Sequence, residues 1–255
     1  MIHPTAIVDP GAQIHPGARV GPYCVVGKDV ALGEDTELQH HVTVMGPTTI
    51  GRGNFLYANC SIGQRSQDLK YAGEPTFLDI GDGNTFREFC TVNRGTLPGT
   101  RTVIGSGGNF LAYSHVAHDC RVGDKVIFSN NGTLAGHVEV GDGAVIGGLT
   151  AIHQFCRVGR HAITGGCSKI VQDVPPFFIA DGNPAQIRGV NQVGLERAGY
   201  PAETIRALKE AYRILYRGNL NVKQAVELIL QGIPGVAEIA ELCAFIESSK
   251  RVIIR

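Results

Sequence analysis

Three short segments of the sequence carry histidine at positions that repeat along the chain. They read VAHDCR from Val116, LAGHVE from Leu134 and IHQFCR from Ile152, so each begins 18 residues after the one before it. Histidine is the usual general base near neutral pH, because its ordinary pKa of about 6.5 lets the imidazole accept a proton there. The polar residues of this histidine cluster, with the histidine just before it, are His115, His118, Asp119, His137, His153 and Gln154.

The spacing alone leaves three interpretations of the cluster open. The histidines can act as a base and bind substrate. Three of them can ligate zinc, as in β-helical carbonic anhydrases, where one ligand comes from a neighbouring subunit. They can also be hydrogen-bonded structural residues or surface residues without a catalytic role.

A six-residue repeat predicts the framework that holds these residues. Large apolar residues recur at every sixth position from Ile2 to Ile170, and only Asp68, Glu74, Pro98 and Thr164 depart from the pattern. This pattern is typical of hexapeptide-repeat β-helices, in which three hexads form one triangular coil of about 18 residues. Residues 18 apart then lie on the same face of adjacent coils, which makes Asp119 and His137 near neighbours.

Small residues support the same architecture. Glycine follows many of the repeating apolar residues directly, as in Gly21 and Gly33, which indicates corners with unusual dihedrals or close backbone approach. A small or β-branched residue comes four positions after each apolar one. Five of the seven cysteines occupy that slot, which favours packing over disulfide or metal chemistry; they are Cys24, Cys60, Cys90, Cys120 and Cys156.

Two interruptions of the repeat predict external loops, at about 63–79 and 93–103, each replacing a whole number of hexads. After Ile170 the repeat ends, and helical spacing begins near Ala202. We expect this helix to end at Gly218, and further helices to follow Asn221 and Pro234. The sequence thus predicts a parallel β-helix over 1–185 and an α-helical domain over 186–255 that caps its open end.

Composition excludes several classes of function. The 255 residues carry 23 basic and 23 acidic side chains, so no global positive field points to nucleic acid. No stretch approaches the ~20 apolar residues of a membrane span, so stable membrane insertion is not expected. The N-terminus lacks the pattern of a secretory signal, and we expect a cytoplasmic protein.

Several motifs together resemble one family over essentially the whole chain. They are HVAHDC at 115–120, LAGH at 134–137, AIHQFC at 151–156, QDLKYAGEPT at 67–76, NRGT at 93–96 and QDVPP at 172–176. With the GVN run that starts at Gly189, these motifs resemble the UDP-N-acetylglucosamine O-acyltransferases. The resemblance implies a left-handed β-helix. It also implies transfer of a 3-hydroxyacyl group from acyl carrier protein to the 3-hydroxyl of UDP-N-acetylglucosamine, in the first step of lipid A biosynthesis.

The resemblance also assigns roles to residues. His118 would be the general base, Asp119 its electrostatic support, and the backbone N–H of Gly136 the oxyanion donor. The role of Asp119 requires the backbone to turn there, because successive strand side chains point to opposite faces. Substrate contacts would come from Asp68 and Lys70 across a subunit boundary, from His115, His137, His153 and Gln154 in the acyl and sugar pocket, and from Asn191 and Arg197 at the nucleotide. Glycine at Gly166 would leave the groove open for a longer acyl chain.

The implied partners are a homotrimer of this chain and acyl carrier protein, without a cofactor or metal. Basic residues that can dock the acidic carrier are Arg157, Arg160, Lys169 and Arg188. Asn93 and Val193 stand where some members have histidine and glutamate, which leaves a 3-amino sugar open as the acceptor. The alternatives from other classes are a zinc hydro-lyase of the carbonic anhydrase type and a non-catalytic scaffold.

Overall fold

The computed structural model describes all residues 1–255. Its first two thirds form a triangular coil with three faces, each a sheet of parallel strands. Face 1 contains β1 (Ile7–Val8), β4 (Val25–Val26), β7 (Thr43–Val44), β10 (Ser61–Gln64), β13 (Thr91–Asn93), β16 (His115–Val116), β19 (Thr133–Leu134), β22 (Ala151–Ile152) and β25 (Lys169–Ile170). Face 2 contains β2 (Gln13–Ile14), β5 (Val30–Leu32), β8 (Thr48–Ile50), β11 (Phe77–Ile80), β14 (Arg101–Ile104), β17 (Arg121–Val122), β20 (Glu139–Val140) and β23 (Arg157–Val158). Face 3 contains β3 (Arg19–Val20), β6 (Glu37–Leu38), β9 (Phe55–Leu56), β12 (Thr85–Phe86), β15 (Asn109–Phe110), β18 (Ile127–Phe128), β21 (Val145–Ile146), β24 (Ile163–Thr164), β26 (Phe178–Gly182) and β27 (Ala185–Val190).

The repeating apolar residues fill the inside of the coil. From Val20 to Ile170 the strand positions of the repeat are buried, and three aromatic rings, Phe86, Phe110 and Phe128, stack along the axis. The exception is the open first coil, where Ile2 is 47% exposed. The predicted parallel β-helix is therefore confirmed.

Of the two reasons expected for glycine at the corners, the structure supports close backbone approach. A Cβ on Gly33 would lie 2.5 Å from backbone atoms of Gly51, so glycine is required there by close approach of adjacent coils. The unusual dihedrals occur two residues later instead, on non-glycine residues such as Tyr23, Asp29 and Asp35, with φ between 54° and 58°.

Both predicted loops leave the coil where the chain passes from face 1 to face 2, a place called corner 1–2 below. Leu78 pairs with Thr48 and Val103 pairs with Asp79, instead of residues 18 positions earlier, so the insertions replace two hexads and one hexad. The strands run further into the interruptions than the sequence suggested, and the loops span 65–76 and 94–100.

The C-terminal part contains α1 (Gln192–Arg197), α2 (Ala202–Arg217), α3 (Val222–Gly232) and α4 (Ala237–Glu247). Gly218 follows α2, and Asn221 begins α3 with a capping box, as expected. The antiparallel pair β26–β27 and the short α1 were not predicted, and this pair extends past the expected boundary at 185. Buried tail residues join the coil interior in one continuous core, so the tail closes the end of the coil.

Candidate active site

Corner 1–2 gathers most of the residues on which the predicted chemistry depends. The two loops, 65–76 and 94–100, leave the coil here, and the turns 117–120, 135–138 and 153–156 follow in the next three coils. Because adjacent coils are about 4.8 Å apart, side chains at equivalent positions of these turns lie within contact distance. The corner forms two rows of residues: His118, Gly136 and Gln154, and beside them Asp119, His137 and Phe155.

His118 is held between a carboxylate and a glycine. Its Nδ1 lies 2.9 Å from Oδ2 of Asp119, and the residue is only 8% exposed. The ring rests on the backbone of Gly136, where an added Cβ would lie 2.3 Å from Cε1 and 2.4 Å from Nε2. Asp119 can reach the ring because its φ of 60° turns the chain at this residue, which meets the condition set by the alternation of strand side chains.

Asp119 is surrounded by donors. The backbone N–H of Thr96, in the second loop, donates to Oδ2 at 3.1 Å, and the Asp119 N–H donates to the Thr102 hydroxyl at 2.8 Å. Burial alone would raise the pKa of the Asp119 carboxyl. The hydrogen bonds from His118, Thr100 and Thr96, with the charge that His137 can carry, instead hold this pKa below its usual range. Asp119 is therefore a carboxylate at neutral pH.

The first loop brings a second carboxylate to the other side of the imidazole. Oδ2 of Asp68 lies 3.9 Å from Nε2 of His118, and Oδ1 accepts from the backbone N–H of Lys70 at 2.9 Å. Asp68 therefore approaches His118 of its own chain. The side chain of Lys70 is exposed beside the cluster.

Two further histidines flank the pair. Nε2 of His137 lies 3.9 Å from Oδ2 of Asp119, and its ring stacks on Phe155 with centroids 4.6 Å apart. Burial lowers the pKa of His137, although Asp119 acts in the opposite direction. Nδ1 of His115 lies 2.7 Å from the Thr91 hydroxyl, and burial followed by the charge of His118 lowers its pKa. Both side chains are thus favoured in the neutral form.

The remaining predicted residues of the corner lie one coil further on. His153 and Gln154 are exposed, and Nδ1 of His153 lies 3.2 Å from the carbonyl oxygen of Gln154.

The backbone N–H of Gly136 has no acceptor within the chain. The equivalent amides of His118 and Gln154 also lack one, so a free N–H is a property of this turn.

Three predicted site residues are not brought to corner 1–2 of the same chain. Gly166 lies at the corner between faces 3 and 1, where an added Cβ would meet nothing closer than 3.5 Å. Asn191 caps α1: its Oδ1 accepts from Gly194 at 3.1 Å, and its Nδ2 donates to the carbonyl of His161 at 2.8 Å. Arg197 is exposed in the last turn of α1.

The suggested carrier-docking arginines are partly engaged inside the chain. Arg160 donates two hydrogen bonds to Glu241 Oε2 at 3.0 and 2.6 Å and one to the Tyr200 hydroxyl at 2.6 Å. The guanidinium of Arg157 lies 4.1 Å from the ring centroid of Phe245. These two residues attach α4 to the coil, so only Lys169 and Arg188 of the suggested set remain exposed for docking.

Sequence reasoning missed the residues that fix the loops. Ser66 and Thr96 join the two loops through their hydroxyls, and Arg94 donates to the carbonyl of Gly63 at 2.9 Å at the base of both loops. No repeat relates these loop residues to the histidines, so their spacing carried no signal. Phe155 was findable, because it follows His137 by 18 residues, like the pair His137 and Asp119.

The zinc interpretation expected three histidine ligands, but the structure brings together two histidines and an aspartate. His118, Asp119 and His137 have ligand atoms within 4.8 Å of one another, whereas His153 does not join them. Ligands about 2.1 Å from a tetrahedral zinc are about 3.4 Å apart. Nδ1 of His118 and Oδ2 of Asp119 are closer than this, at 2.9 Å, which is a hydrogen-bond distance. The arrangement fits a fixed imidazole tautomer better than a metal centre.

Comparison with known proteins favours the acyltransferase interpretation of the cluster over the zinc interpretation. A family model described as UDP-N-acetylglucosamine O-acyltransferase, domain 2, matches residues 173–254. A protein of Burkholderia orbicola named acyl-[acyl-carrier-protein]–UDP-N-acetylglucosamine O-acyltransferase is 48% identical and covers 100% of this chain and 99% of its own. The chain belongs to the UDP-N-acetylglucosamine O-acyltransferase family.

Two more comparisons agree with this membership. The enzyme of the same name from Verminephrobacter eiseniae is 47% identical over 83% of each chain. The structure of LpxA from Acinetobacter baumannii superposes with a TM-score of 0.96 at 44% identity, over 100% of this chain and 99% of the other. As a member of the UDP-N-acetylglucosamine O-acyltransferase family, the protein is an acyltransferase with a left-handed β-helix. None of its helices has the length and apolar character required to cross a bilayer.

Proposed function

We propose that this acyltransferase moves a 3-hydroxyacyl group from acyl carrier protein to the 3-hydroxyl of UDP-N-acetylglucosamine, the first step of lipid A biosynthesis, with His118 as the general base. The observation that carries the proposal is the environment of the two imidazole nitrogens. Nδ1 is engaged by Asp119 at 2.9 Å, whereas Nε2 faces the space beside Asp68 without a hydrogen-bond partner. A carboxylate on Nδ1 favours the tautomer whose Nε2 accepts a proton.

The reaction then follows from this geometry. Nε2 takes the proton of the sugar hydroxyl as its oxygen attacks the thioester carbonyl, and the imidazolium is stabilised by Asp119. The tetrahedral intermediate collapses by breaking its carbon–sulfur bond, and the thiolate leaves with the proton returned from His118. The ester remains on the sugar. No metal or cofactor takes part in these proton transfers.

Developing charge on the carbonyl oxygen needs a fixed donor, and Gly136 is our candidate. Its N–H is not used within the chain, and it lies directly against the ring of His118. A donor already aimed at the oxyanion stabilises the transition state without reorganisation, and loss of one such donor typically costs about 10²–10³-fold in kcat. His118 would thus take the proton of the attacking hydroxyl while Gly136 stabilises the carbonyl oxygen of the same thioester.

The substrate contacts form the second part of the proposal. Asp68 and Lys70 would bind the sugar nucleotide from the first loop, with His115, His137, His153 and Gln154 lining the acyl and sugar pocket. Arg197 is the better candidate for the diphosphate, because the amide of Asn191 is already used to cap α1.

A homotrimer is the assembly that we propose, in the cytoplasm. Gly166 and Arg197 lie away from corner 1–2 of their own chain, so a site that combines them with His118 requires a second copy. Large apolar side chains are exposed along the corner between faces 3 and 1, including Tyr23 at 59%, Tyr113 at 55% and Leu149 at 63% exposure. Such a line of apolar surface supports a subunit interface.

The test is an acyl-transfer assay with purified protein, 3-hydroxyacyl carrier proteins of several chain lengths and UDP-N-acetylglucosamine. We expect turnover by the wild type and a loss of about 100-fold or more in His118→Ala, in line with general-base catalysis. His15→Ala, at an exposed histidine of the first coil, is the control and should retain full activity.

Other outcomes would change the proposal in distinct ways. Turnover only with the 3-amino sugar nucleotide would change the acceptor atom and leave the mechanism intact. Activity that is lost with a chelator and restored by zinc would overturn the metal-free base mechanism. Retention of activity in His118→Ala would remove His118 from the base role.

A further inference from the structure

Two buried hydroxyls join the loops that leave corner 1–2. Oγ of Ser66, in loop 65–76, lies 2.6 Å from Oγ1 of Thr96, in loop 94–100. Ser66 is 6% exposed and Thr96 is 2% exposed, so neither hydroxyl has water as an alternative partner. A buried hydroxyl without a partner costs about 1–3 kcal/mol, and the pair is therefore a specific link between the loops.

From this pair, hydrogen bonds lead to both carboxylates beside His118. The backbone N–H of Asp68 donates to Oγ of Ser66 at 3.1 Å, and the backbone N–H of Thr96 donates to Oδ2 of Asp119 at 3.1 Å. Asp119 lies at 2.9 Å on Nδ1 of His118, and Asp68 lies at 3.9 Å from Nε2. Four hydrogen bonds thus link five residues, and the 3.9 Å approach of Asp68 to Nε2 closes the ring around the base.

The bases of the loops are fixed separately from this link. Arg94 donates to the carbonyl of Gly63 at 2.9 Å and also to the carbonyl of Gly46. The strands that follow the loops, β11 and β14, keep a continuous parallel register, whereas the preceding pair, β10 and β13, shifts register between Ile62 and Gln64. The Ser66–Thr96 contact adds a side-chain link between the two loops close to where each leaves the coil. A backbone hydrogen bond from the Gly99 N–H to the Pro75 carbonyl, at 3.0 Å, joins the loops separately near their other ends.

We propose that Ser66 and Thr96 are positioning residues that hold Asp68 and Asp119 at opposite nitrogens of the His118 imidazole. The inference rests on the proposed role of His118 as the base. Both residues are buried and their hydroxyls bond each other, so both act through the carboxylates. Their effect falls on the chemical step, since a base displaced by about 1 Å can cost about 100-fold in rate.

The test uses Thr96→Val, which removes the hydroxyl but keeps the side-chain shape and the N–H that bonds Asp119. We expect kcat to fall about 10-fold or more, with the KM for the sugar nucleotide changed less than about threefold, because orientation and not uniform binding is lost. Thr96→Ser restores the hydroxyl and should recover activity to within about threefold of wild type.

The same substitution on an Asp68→Asn background separates positioning from general damage. If Thr96 acts through Asp68, the two losses are coupled and the double variant loses much less than the product of the single effects. The matched control is Thr36→Val in an early coil, whose buried hydroxyl donates to Gly51 at 2.7 Å and accepts from Asn54 at 3.2 Å. It should lower the melting temperature and leave kcat unchanged.

The failure of this inference differs from the failure of the proposed function. The ring NMR signals of His118, assigned by comparison with His118→Ala, report the position of the imidazole without any turnover. A change in these signals in Thr96→Val, absent in Thr36→Val, is expected even if the substrate assignment is wrong. Unchanged signals, a kcat within about twofold of wild type, or equal losses with and without Asp68→Asn would each overturn the positioning role.

Discussion

Replacing Gly136 with alanine tests whether the position of the His118 ring against the Gly136 backbone determines activity. The added Cβ would lie 2.3 Å from Cε1 and 2.4 Å from Nε2 of the imidazole, whereas carbon atoms in contact lie about 3.5–4.0 Å apart. The ring must therefore move by about 1 Å or more. It cannot do so freely, because Asp119 holds Nδ1 and the turn is packed between buried strands.

The expected effect follows from this displacement. A misplacement of about 1 Å at a reacting group can cost about 100-fold, which corresponds to about 2.7 kcal/mol of transition-state stabilisation. We therefore expect kcat of Gly136→Ala to fall about 100-fold, although the substitution keeps the backbone N–H. Gly136 is not among the residues with positive φ, so alanine does not strain the backbone there.

The assay is steady-state acyl transfer together with a thermal melt. Gly17→Ala, at a corner of an early coil, is the control. The two atoms closest to a Cβ added there belong to the side chains of His15 and Glu34, at 3.3 and 3.4 Å. It should match wild type in kcat. A Gly136→Ala enzyme that folds and keeps kcat within about threefold of wild type would refute the reasoning, since the base would then tolerate the displacement.

Four further predictions follow from the same contacts. Asp119→Asn should lower kcat about 10²–10⁴-fold in the acyl-transfer assay with little change in KM, because the amide no longer selects the tautomer of His118; an unchanged kcat would contradict this. Burial lowers the pKa of His115 from 6.5, so the unfolded chain binds more protons below that pH and stability falls as pH decreases. Melts from about pH 7 to pH 5.5 should show a smaller decline in His115→Gln than in wild type, and equal declines would count against it. Gly166→Leu should shift kcat/KM toward shorter acyl donors by about 10-fold, and an unchanged chain-length profile would exclude Gly166 from the groove. Arg160→Ala should lower the free energy of unfolding in urea by about 1–2 kcal/mol through lost hydrogen bonds to Glu241, whereas Arg197→Ala, at an exposed residue, should not.

The sequence predicted the coil, and neighbours at its corners, where periodicity carried the information. The six-residue spacing set the interior from Val20 to Ile170, and the 18-residue spacing brought Asp119 next to His137. Helix caps act locally, so Gly218 and Asn221 could be recognised from their neighbours alone. Each of these features depends on residues at fixed separations, which a single sequence displays directly.

Features set by long-range contacts could not be predicted in this way. The hydroxyl contact between Ser66 and Thr96 depends on how two irregular loops fold over the same corner, 30 residues apart. The pair β26–β27 lies after the repeat has ended, and it has no periodic partner in the sequence. The side-chain amide of Asn191 was expected to bind the nucleotide, but it caps α1 and donates to the carbonyl of His161. Tertiary context determined all three.

The position of both loops at one corner explains how a rigid repeat can carry a specific site. An insertion in a β-helix must restore the register of the strands, and both loops do so by replacing whole hexads. The backbone positions of the rows His118–Gly136–Gln154 and Asp119–His137–Phe155 therefore follow the coil spacing. We therefore propose that the chemistry belongs to the turns of the coil, whereas the loops supply Asp68 and help to hold both carboxylates beside His118.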